Sequence, residues 1–153
     1  MNALIQDVIN LQREFDEALQ LKARAIQKQE YLKAARQRVR ERALLDKAKI
    51  RLKELNRFIE SLPEADQQEY QDFFRQAKVF FSLNMLEQLT AINQEKARLE
   101  DELEKLQQQK KQLLSEYRFQ LANTVRERIA EISEKLQQLE NKINYIRQQA
   151  LEN

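Results

Sequence analysis

Glycine, cysteine, histidine and tryptophan are absent from this chain, and proline occurs once, at Pro63. A globular domain of 153 residues with average composition would contain about ten glycines. Because hairpin turns and phosphate-binding loops depend on glycine, its absence argues against strands and against nucleotide-binding loops. Without cysteine the chain can form no disulfide, which is usual for cytoplasmic proteins. These absences predict an all-helical, cytoplasmic protein.

Long apolar runs are also absent, since no stretch of about 20 apolar residues occurs. The first residues lack the basic segment and apolar run of a signal peptide, so we expect neither a leader nor membrane insertion. What the chain has instead is charge, because 34% of its residues are Asp, Glu, Lys or Arg. Such a composition with helical periodicity is typical of long helices and coiled coils.

Pro63 predicts the main break in the helical pattern, because proline cannot continue a helix. The first helix should end near Ser61, and Ser61 and Glu64 have the spacing of a capping box for a new helix over residues 64–81. A further break is expected near Ser82–Asn84, where Asn84 could cap the next helix. One face of the short helix is strongly aromatic, within an arc of about 120°. Its members are Tyr70, Phe73, Phe74, Ala77, Phe80 and Phe81.

Apolar residues at coiled-coil spacing precede and follow this short helix. They predict one long helix over residues 3–61 and another over 85–150. In the first, the seam thins after Ala18 and continues on one face through Ala25, Leu32, Val39, Ala43 and Ile50. In the second, Lys96 and Lys110 occupy seam positions, where a polar residue can fix the register at some cost in stability.

The expected fold is therefore an all-α, elongated antiparallel coiled-coil hairpin of two long helices joined by a short amphipathic helix. It would have three helices and form a single unit over residues 1–153. If Phe58 lies opposite Met85, the basic part of the first helix faces the acidic part of the last. Arg40, Arg42 and Lys47 would then lie near Glu95, Glu100 and Glu102.

The first long helix is strongly basic in its second half. Residues 22–57 hold thirteen Lys or Arg against four acidic residues, a net charge of +9, although the whole chain carries only +2. Cations along a helix can bind phosphates, or they can flank a coiled-coil seam as ion-pair partners. The candidate anion-binding or nucleic-acid-binding residues are Lys33, Arg36, Arg38, Arg40, Arg42, Lys47, Lys49 and Arg51.

Two apolar groups are candidates for docking a protein. The first is the aromatic face of the short helix, which could instead close the end of the hairpin. The second is Ile143 and Ile146, which lie beyond the reach of the first helix in the expected register and could pair with another copy or another protein. The docking candidates are Tyr70, Phe73, Phe74, Phe80, Phe81, Ile143 and Ile146.

Nothing in the sequence favours catalysis. The chain has no histidine or cysteine to act as a base, nucleophile or zinc ligand, and we expect no cofactor or metal. The predicted function is that of a non-enzymatic scaffold, adaptor or accessory subunit that binds a protein partner or itself associates into an oligomer. The alternative is a sequence-nonspecific nucleic-acid-binding protein using residues 22–57. In overall form, a helical hairpin of this size resembles the stalk-like accessory proteins of bacterial type III secretion and flagellar export.

Overall fold

The computed structural model describes the backbone of residues 2–152 and the side chains of residues 3–146. Within this part the chain forms five α-helices and no strand. The helices are α1 (Asn2–Gln27), α2 (Tyr31–Ser61), α3 (Glu64–Phe80), α4 (Leu83–Ser115) and α5 (Phe119–Glu152). The all-α class is confirmed, but the prediction of three helices is wrong because each long helix is divided in two. The resemblance in form to a stalk-like single hairpin therefore does not extend to the structure.

The first unexpected break follows α1. Gln29 has a left-handed backbone conformation, with φ of 59°. The N–H groups of Gln29 and Glu30 donate to carbonyl groups in the last turn of α1. The Glu30 N–H donates to the Ala25 carbonyl at 2.8 Å, and the Gln29 N–H donates to the Ile26 carbonyl at 3.0 Å. This pair of bonds is the Schellman motif that ends many helices. Glycine usually occupies the left-handed position, so a glutamine there gave no signal in the sequence.

The same motif ends α4. Tyr117 has φ of 60°, and its N–H donates to the Leu114 carbonyl at 3.1 Å. The Arg118 N–H donates to the Leu113 carbonyl at 2.9 Å. The two long helices of the sequence-based prediction are thus two hairpins, each closed by the same turn.

The left-handed turn allows a direct test of the first break. We expect Gln29→Gly to raise the free energy of unfolding by up to about 1 kcal/mol. A non-glycine residue in this conformation costs about 1–2 kcal/mol, which the substitution removes. Part of this gain is lost because glycine gives the unfolded chain more conformational entropy. The matched control is Arg13→Gly, in the exposed middle of α1, which should lower it by about 1 kcal/mol. Urea unfolding of both variants makes the comparison. A loss of stability in both would contradict the left-handed turn.

Helices α1 and α2 form the first antiparallel hairpin. Lys22 pairs with Glu41 at 2.8 Å near the turn, and Asp7 pairs with Arg51 at 3.7 Å near the open end. The partner of the N-terminal segment is therefore the second half of the predicted first helix. The predicted register, with Phe58 opposite Met85, is wrong.

Helices α4 and α5 form the second antiparallel hairpin. Glu102 pairs with Arg128 at 2.9 Å, and Lys96 pairs with Glu140 at 2.8 Å. Lys96, expected at a seam position, has a largely buried side chain whose ammonium reaches the neighbouring helix. A small apolar cluster of Leu113, Ala122 and Val125 lies near the tip of this hairpin.

The two hairpins lie side by side through α1 and α4, which run in the same direction. Phe15 of α1 contacts Phe80 and Phe81 just before α4 begins, and further along Arg24 lies 3.4 Å from Glu100. The main core forms around this contact. Its buried members are Leu11, Phe15, Ala18, Leu19, Leu44, Ala48, Phe80, Met85, Leu89, Ile92, Ile143 and Ile146.

Helix α3 connects the hairpins and packs against α2, α4 and α5. The predicted capping box does not form, because the Ser61 hydroxyl donates to the Phe58 carbonyl at 2.6 Å. The N-cap residue of α3 is Pro63, which makes no side-chain hydrogen bond to the helix. The break near Ser82–Asn84 is confirmed, but the cap is Ser82 rather than Asn84. The Ser82 hydroxyl oxygen accepts from the Met85 N–H at 3.3 Å.

Candidate interaction surface

Helix α2 has two apolar faces, and only one of them is covered. The covered face contains Leu44, Ala48, Leu55 and Ile59, all of which are buried. Leu44 and Ala48 belong to the main core, and Phe58 nearby contacts Tyr70 of α3 edge to face at 6.1 Å. This face attaches α2 to the rest of the protein.

The other face carries an outward stripe of apolar residues, here called the α2 stripe: Leu32, Val39, Ala43 and Ile50. Their spacings of seven, four and seven residues keep them within about 40° on the helix, on the side opposite the covered face. Leu32, Val39 and Ile50 are 70%, 68% and 56% exposed. The prediction that these residues lie in the hairpin seam is wrong. They form an exposed apolar stripe along one face of α2, with the charged Asp46 between Ala43 and Ile50.

The exposure of Val39 predicts a mild effect of a charge at this position. We expect Val39→Asp to change the free energy of unfolding by no more than about 0.5 kcal/mol, as surface substitutions usually do. Leu55→Asp, on the covered face of the same helix, places a carboxylate at a fully buried position and should unfold the protein or nearly so. Thermal unfolding followed by circular dichroism distinguishes them. Equal losses in both variants would mean that α2 is rotated.

Cations flank the α2 stripe on both sides. Of the predicted anion-binding residues, Lys33 pairs with Glu30, Arg40 lies 3.6 Å from Glu17, and Arg51 lies 2.9 Å from Glu54. The hydrogen bond from Lys33 lowers the pKa of Glu30. Among the side chains that the structure describes, the remaining cations of α2 make no ion pair. They are Arg36, Arg38, Arg42, Lys47, Lys49, Lys53 and Arg57.

The acidic residues expected to neutralise these cations have other partners. Glu95 pairs with Arg98 at 2.6 Å, and this hydrogen bond lowers the pKa of Glu95. Glu100 pairs with Arg24 at 3.4 Å, and Glu102 pairs with Arg128. The predicted contacts with Arg40, Arg42 and Lys47 are therefore wrong, and the outer side of α2 keeps its positive charge.

Two shallow grooves lie between α1 and α2, and the α2 stripe contributes a residue to one of them. One has a volume of about 380 Å³ and includes Ile50, Lys47 and Glu14 in its lining. The other has a volume of about 440 Å³ and is lined by Lys33 and Arg36 among other residues. Ile50 and three cations of α2, Lys33, Arg36 and Lys47, thus border concave surface on the α1 side.

The aromatic docking candidates lie largely within the protein's own packing. Phe80 is buried, and Tyr70, Phe73, Phe74 and Phe81 are partly covered. The ring centroids of Phe80 and Phe81 lie 5.0 Å apart in an edge-to-face contact. The aromatic face thus packs inside the protein, but Phe80 and Phe81 lie where the two hairpins meet and not at the end of one hairpin.

Ile143 and Ile146 were expected to lie beyond the first helix. Both are buried, in the same cluster as Leu11 and Phe15 of α1. That expectation is wrong, because the division of both long helices brings the C-terminal half of α5 back over the main core.

A second exposed apolar group lies at the tip of the α4–α5 hairpin, and the sequence analysis missed it. Tyr117, Phe119 and Leu121 are 80%, 56% and 45% exposed, and the two rings meet edge to face at 6.1 Å. The sequence had predicted one unbroken helix over residues 85–150, which includes these three side chains. The pair of aromatic residues, Tyr117 and Phe119, was the one sequence signal for this group, because no glycine or proline marks the turn between α4 and α5.

Within the described residues, no group of three or more acidic side chains is arranged to hold a metal ion. None of the helices there has an apolar stretch long enough to span a bilayer. Comparisons with protein-family models, curated proteins and solved structures found no match. What the chain can do must therefore be inferred from its own surface.

Proposed function

We propose that this protein is a non-enzymatic interaction protein, a scaffold or adaptor that holds a protein partner on an exposed helix face. The observation that supports this most directly is the α2 stripe, in which Leu32, Val39 and Ile50 are each more than half exposed. Large apolar side chains that are exposed together on one face, rather than scattered singly, often mark a site of protein association. The stripe extends over about 27 Å, the length of five helical turns. A partner helix laid along it would bury side chains at regular spacing.

The chain's architecture favours binding over chemistry. Its grooves are shallow and open, whereas catalysis needs a concave site with groups held in defined geometry. Two hairpins packed through α1 and α4 instead offer long helix faces. The covered face of α2 is anchored in the core, so its outer face is presented on a supported helix.

The test compares three forms of the full chain for association with other proteins. The stripe variant carries Leu32→Ser, Val39→Ser and Ile50→Ser. The control carries Leu83→Ser and Leu121→Ser, which remove exposed leucines elsewhere. Cross-linking in extracts of the source cells, followed by mass spectrometry, should recover a protein with the wild type and the control but not with the stripe variant. Equal recovery with all three would contradict the proposal.

The second candidate function is nonspecific binding of nucleic acid, and a specific observation favours it. Seven Lys or Arg side chains of α2 make no ion pair within the described part of the chain, so they are free to contact phosphates. Such binding should weaken steeply as salt rises. Titration of labelled DNA and RNA between 50 and 200 mM salt tests it, with light scattering to follow the oligomeric state. No binding at the lowest salt would exclude this candidate.

A further inference from the structure

We propose that the α2 stripe binds one amphipathic helix whose apolar seam is flanked by Asp or Glu on both sides. This rests on the proposed function and specifies the partner's chemistry. The juxtaposition that carries it is an exposed apolar strip in the middle of a helix face with unpaired cations on either side. The surface has an apolar part and an electrostatic part.

The apolar part concerns the shape of the site. Leu32, Val39, Ala43 and Ile50 recur at the spacing by which one helix packs along another. The stripe lies opposite the covered face of α2, so a partner helix can lie on it without displacing α1 or α3. Its Ile50 end opens onto one groove, and the other groove lies beside the flanking Arg36, so both provide space for side chains at the edge of the partner.

The electrostatic part concerns the residues beside the stripe. On one side lie Arg36 and Lys47, and on the other lie Arg42, Lys49 and Lys53. None of these five makes an ion pair in the part of the chain with described side chains. Residues that flank a helical seam determine partner choice and orientation through ion pairs. A partner with acidic flanks would neutralise them on both sides, whereas a partner with basic flanks would be repelled.

Asp46 adds a feature of register. It follows Leu32 and Val39 at seven-residue spacing, is exposed, and makes no ion pair among the described side chains. A partner helix in the preferred register would place a Lys or Arg opposite this carboxylate. A polar residue at a seam position can fix register and orientation in this way.

A second copy of the same stripe is a poorer occupant. In an antiparallel arrangement about Glu41, Leu32 would face Ile50 and Val39 would face Ala43, so the apolar residues would match. The flanks would not, because each copy carries seven Lys or Arg against Glu41 and Asp46 over residues 32–50. Like charges that face each other across a helix interface are destabilising. An acidic helix keeps the apolar match and reverses the sign of every flanking contact.

Nucleic acid is also a poorer occupant of the stripe itself. Phosphate binding uses the cations but not the apolar residues between them. It would leave Leu32, Val39 and Ile50 exposed, with their contact to water unchanged. Only a partner with an apolar seam uses both features of the surface.

The experiment uses the full chain and three synthetic 21-residue helices labelled with a fluorophore. The first probe has a leucine seam, glutamate flanks and one lysine placed to lie opposite Asp46. The second has the same seam with lysine flanks, and the third keeps the glutamate flanks but has serine in the seam. Fluorescence anisotropy should show the first probe binding at least about tenfold more tightly than either control, since both the seam and the flanking charges contribute.

Variants then place the probe on the stripe. The stripe variant should weaken binding of the first probe at least about tenfold, and the control with Leu83→Ser and Leu121→Ser should not. Asp46→Lys should weaken it severalfold, and a probe with glutamate at the facing position should restore the affinity. Equal binding by the glutamate-flanked and lysine-flanked probes would overturn the proposal.

Three further outcomes would overturn the acidic-helix proposal in different ways. Self-association that the stripe variant abolishes would assign the stripe to a second copy. Salt-sensitive binding of DNA or RNA that survives in the stripe variant, with no binding of the first probe, would assign the cations to phosphates. A cross-linked protein that requires the stripe but competes with none of the probes would leave the proposed function intact and reject the acidic helix alone.

Discussion

Phe15→Ala is expected to lower the free energy of unfolding by about 3–5 kcal/mol, the usual range for removing a buried aromatic ring from a core. Phe15 has no exposed surface and contacts Phe80 and Phe81 edge to face, with centroids 6.2 and 5.7 Å away. These contacts join α1 to the α3–α4 junction. The cavity left by the ring would therefore lie where the two hairpins meet, which leaves little freedom for the surrounding helices to collapse into it.

The measurement is urea unfolding followed by circular dichroism at 222 nm. The matched control is Tyr31→Ala, which removes an aromatic ring that is 66% exposed at the start of α2 and should change stability by about 0.5 kcal/mol or less. A loss below about 1.5 kcal/mol for Phe15→Ala would contradict the placement of this ring at the centre of the core.

The parts of the fold that the sequence predicted correctly depend on local signals. The lack of glycine and the apolar periodicity predicted an all-α chain, and Pro63 predicted the end of a helix at Ser61. The aromatic periodicity predicted the short helix to within one residue of its observed end at Phe80. Each of these features is determined by residues within a few positions of one another.

The two missed turns depend on a conformation that the local sequence does not favour. Gln29 and Tyr117 adopt left-handed dihedrals that cost energy for any residue with a Cβ atom. That cost is offset by packing between the helices of each hairpin, which no local pattern reveals. Each long helix was predicted to be continuous because its left-handed residue was not recognised. The predicted helix neighbours were therefore wrong as well.

The apolar periodicity of the α2 stripe is visible in the sequence, but the stripe was predicted to face the hairpin seam and in fact faces solvent. Periodicity shows that Leu32, Val39 and Ile50 share a face, and it does not show whether that face is covered. Helix α2 has a second apolar face, and the tertiary contacts of Leu44 and Leu55 decide between them. Charge matching gave no correction, because long helices rich in both signs offer plausible ion pairs in more than one register.

Glu41→Ala is expected to lower the free energy of unfolding by about 3–5 kcal/mol, since it leaves a buried ammonium without its partner. Lys22 and Glu41 are only 8% and 6% exposed, and the Lys22 Nζ lies 2.8 Å from Oε1 and 3.1 Å from Oε2 of the carboxylate. Both carboxylate oxygens lie within ion-pair distance of the ammonium, and Oε2 accepts a hydrogen bond from it.

The double variant Lys22→Met with Glu41→Leu separates the cost of breaking the pair from the contribution of the pair itself. Because two buried charges lose their hydration, an apolar pair of similar volume should be as stable as the wild type or more stable by about 1–4 kcal/mol. Urea unfolding of both single variants and the double variant completes the cycle.

A double variant as unstable as Glu41→Ala would mean that the ion pair stabilises the hairpin outright. If the double variant is instead stable, we expect the pair to fix the register of α1 against α2 and so to keep the α2 stripe directed outward. A loss of binding of the glutamate-flanked helix in that stable double variant is the result that would show it.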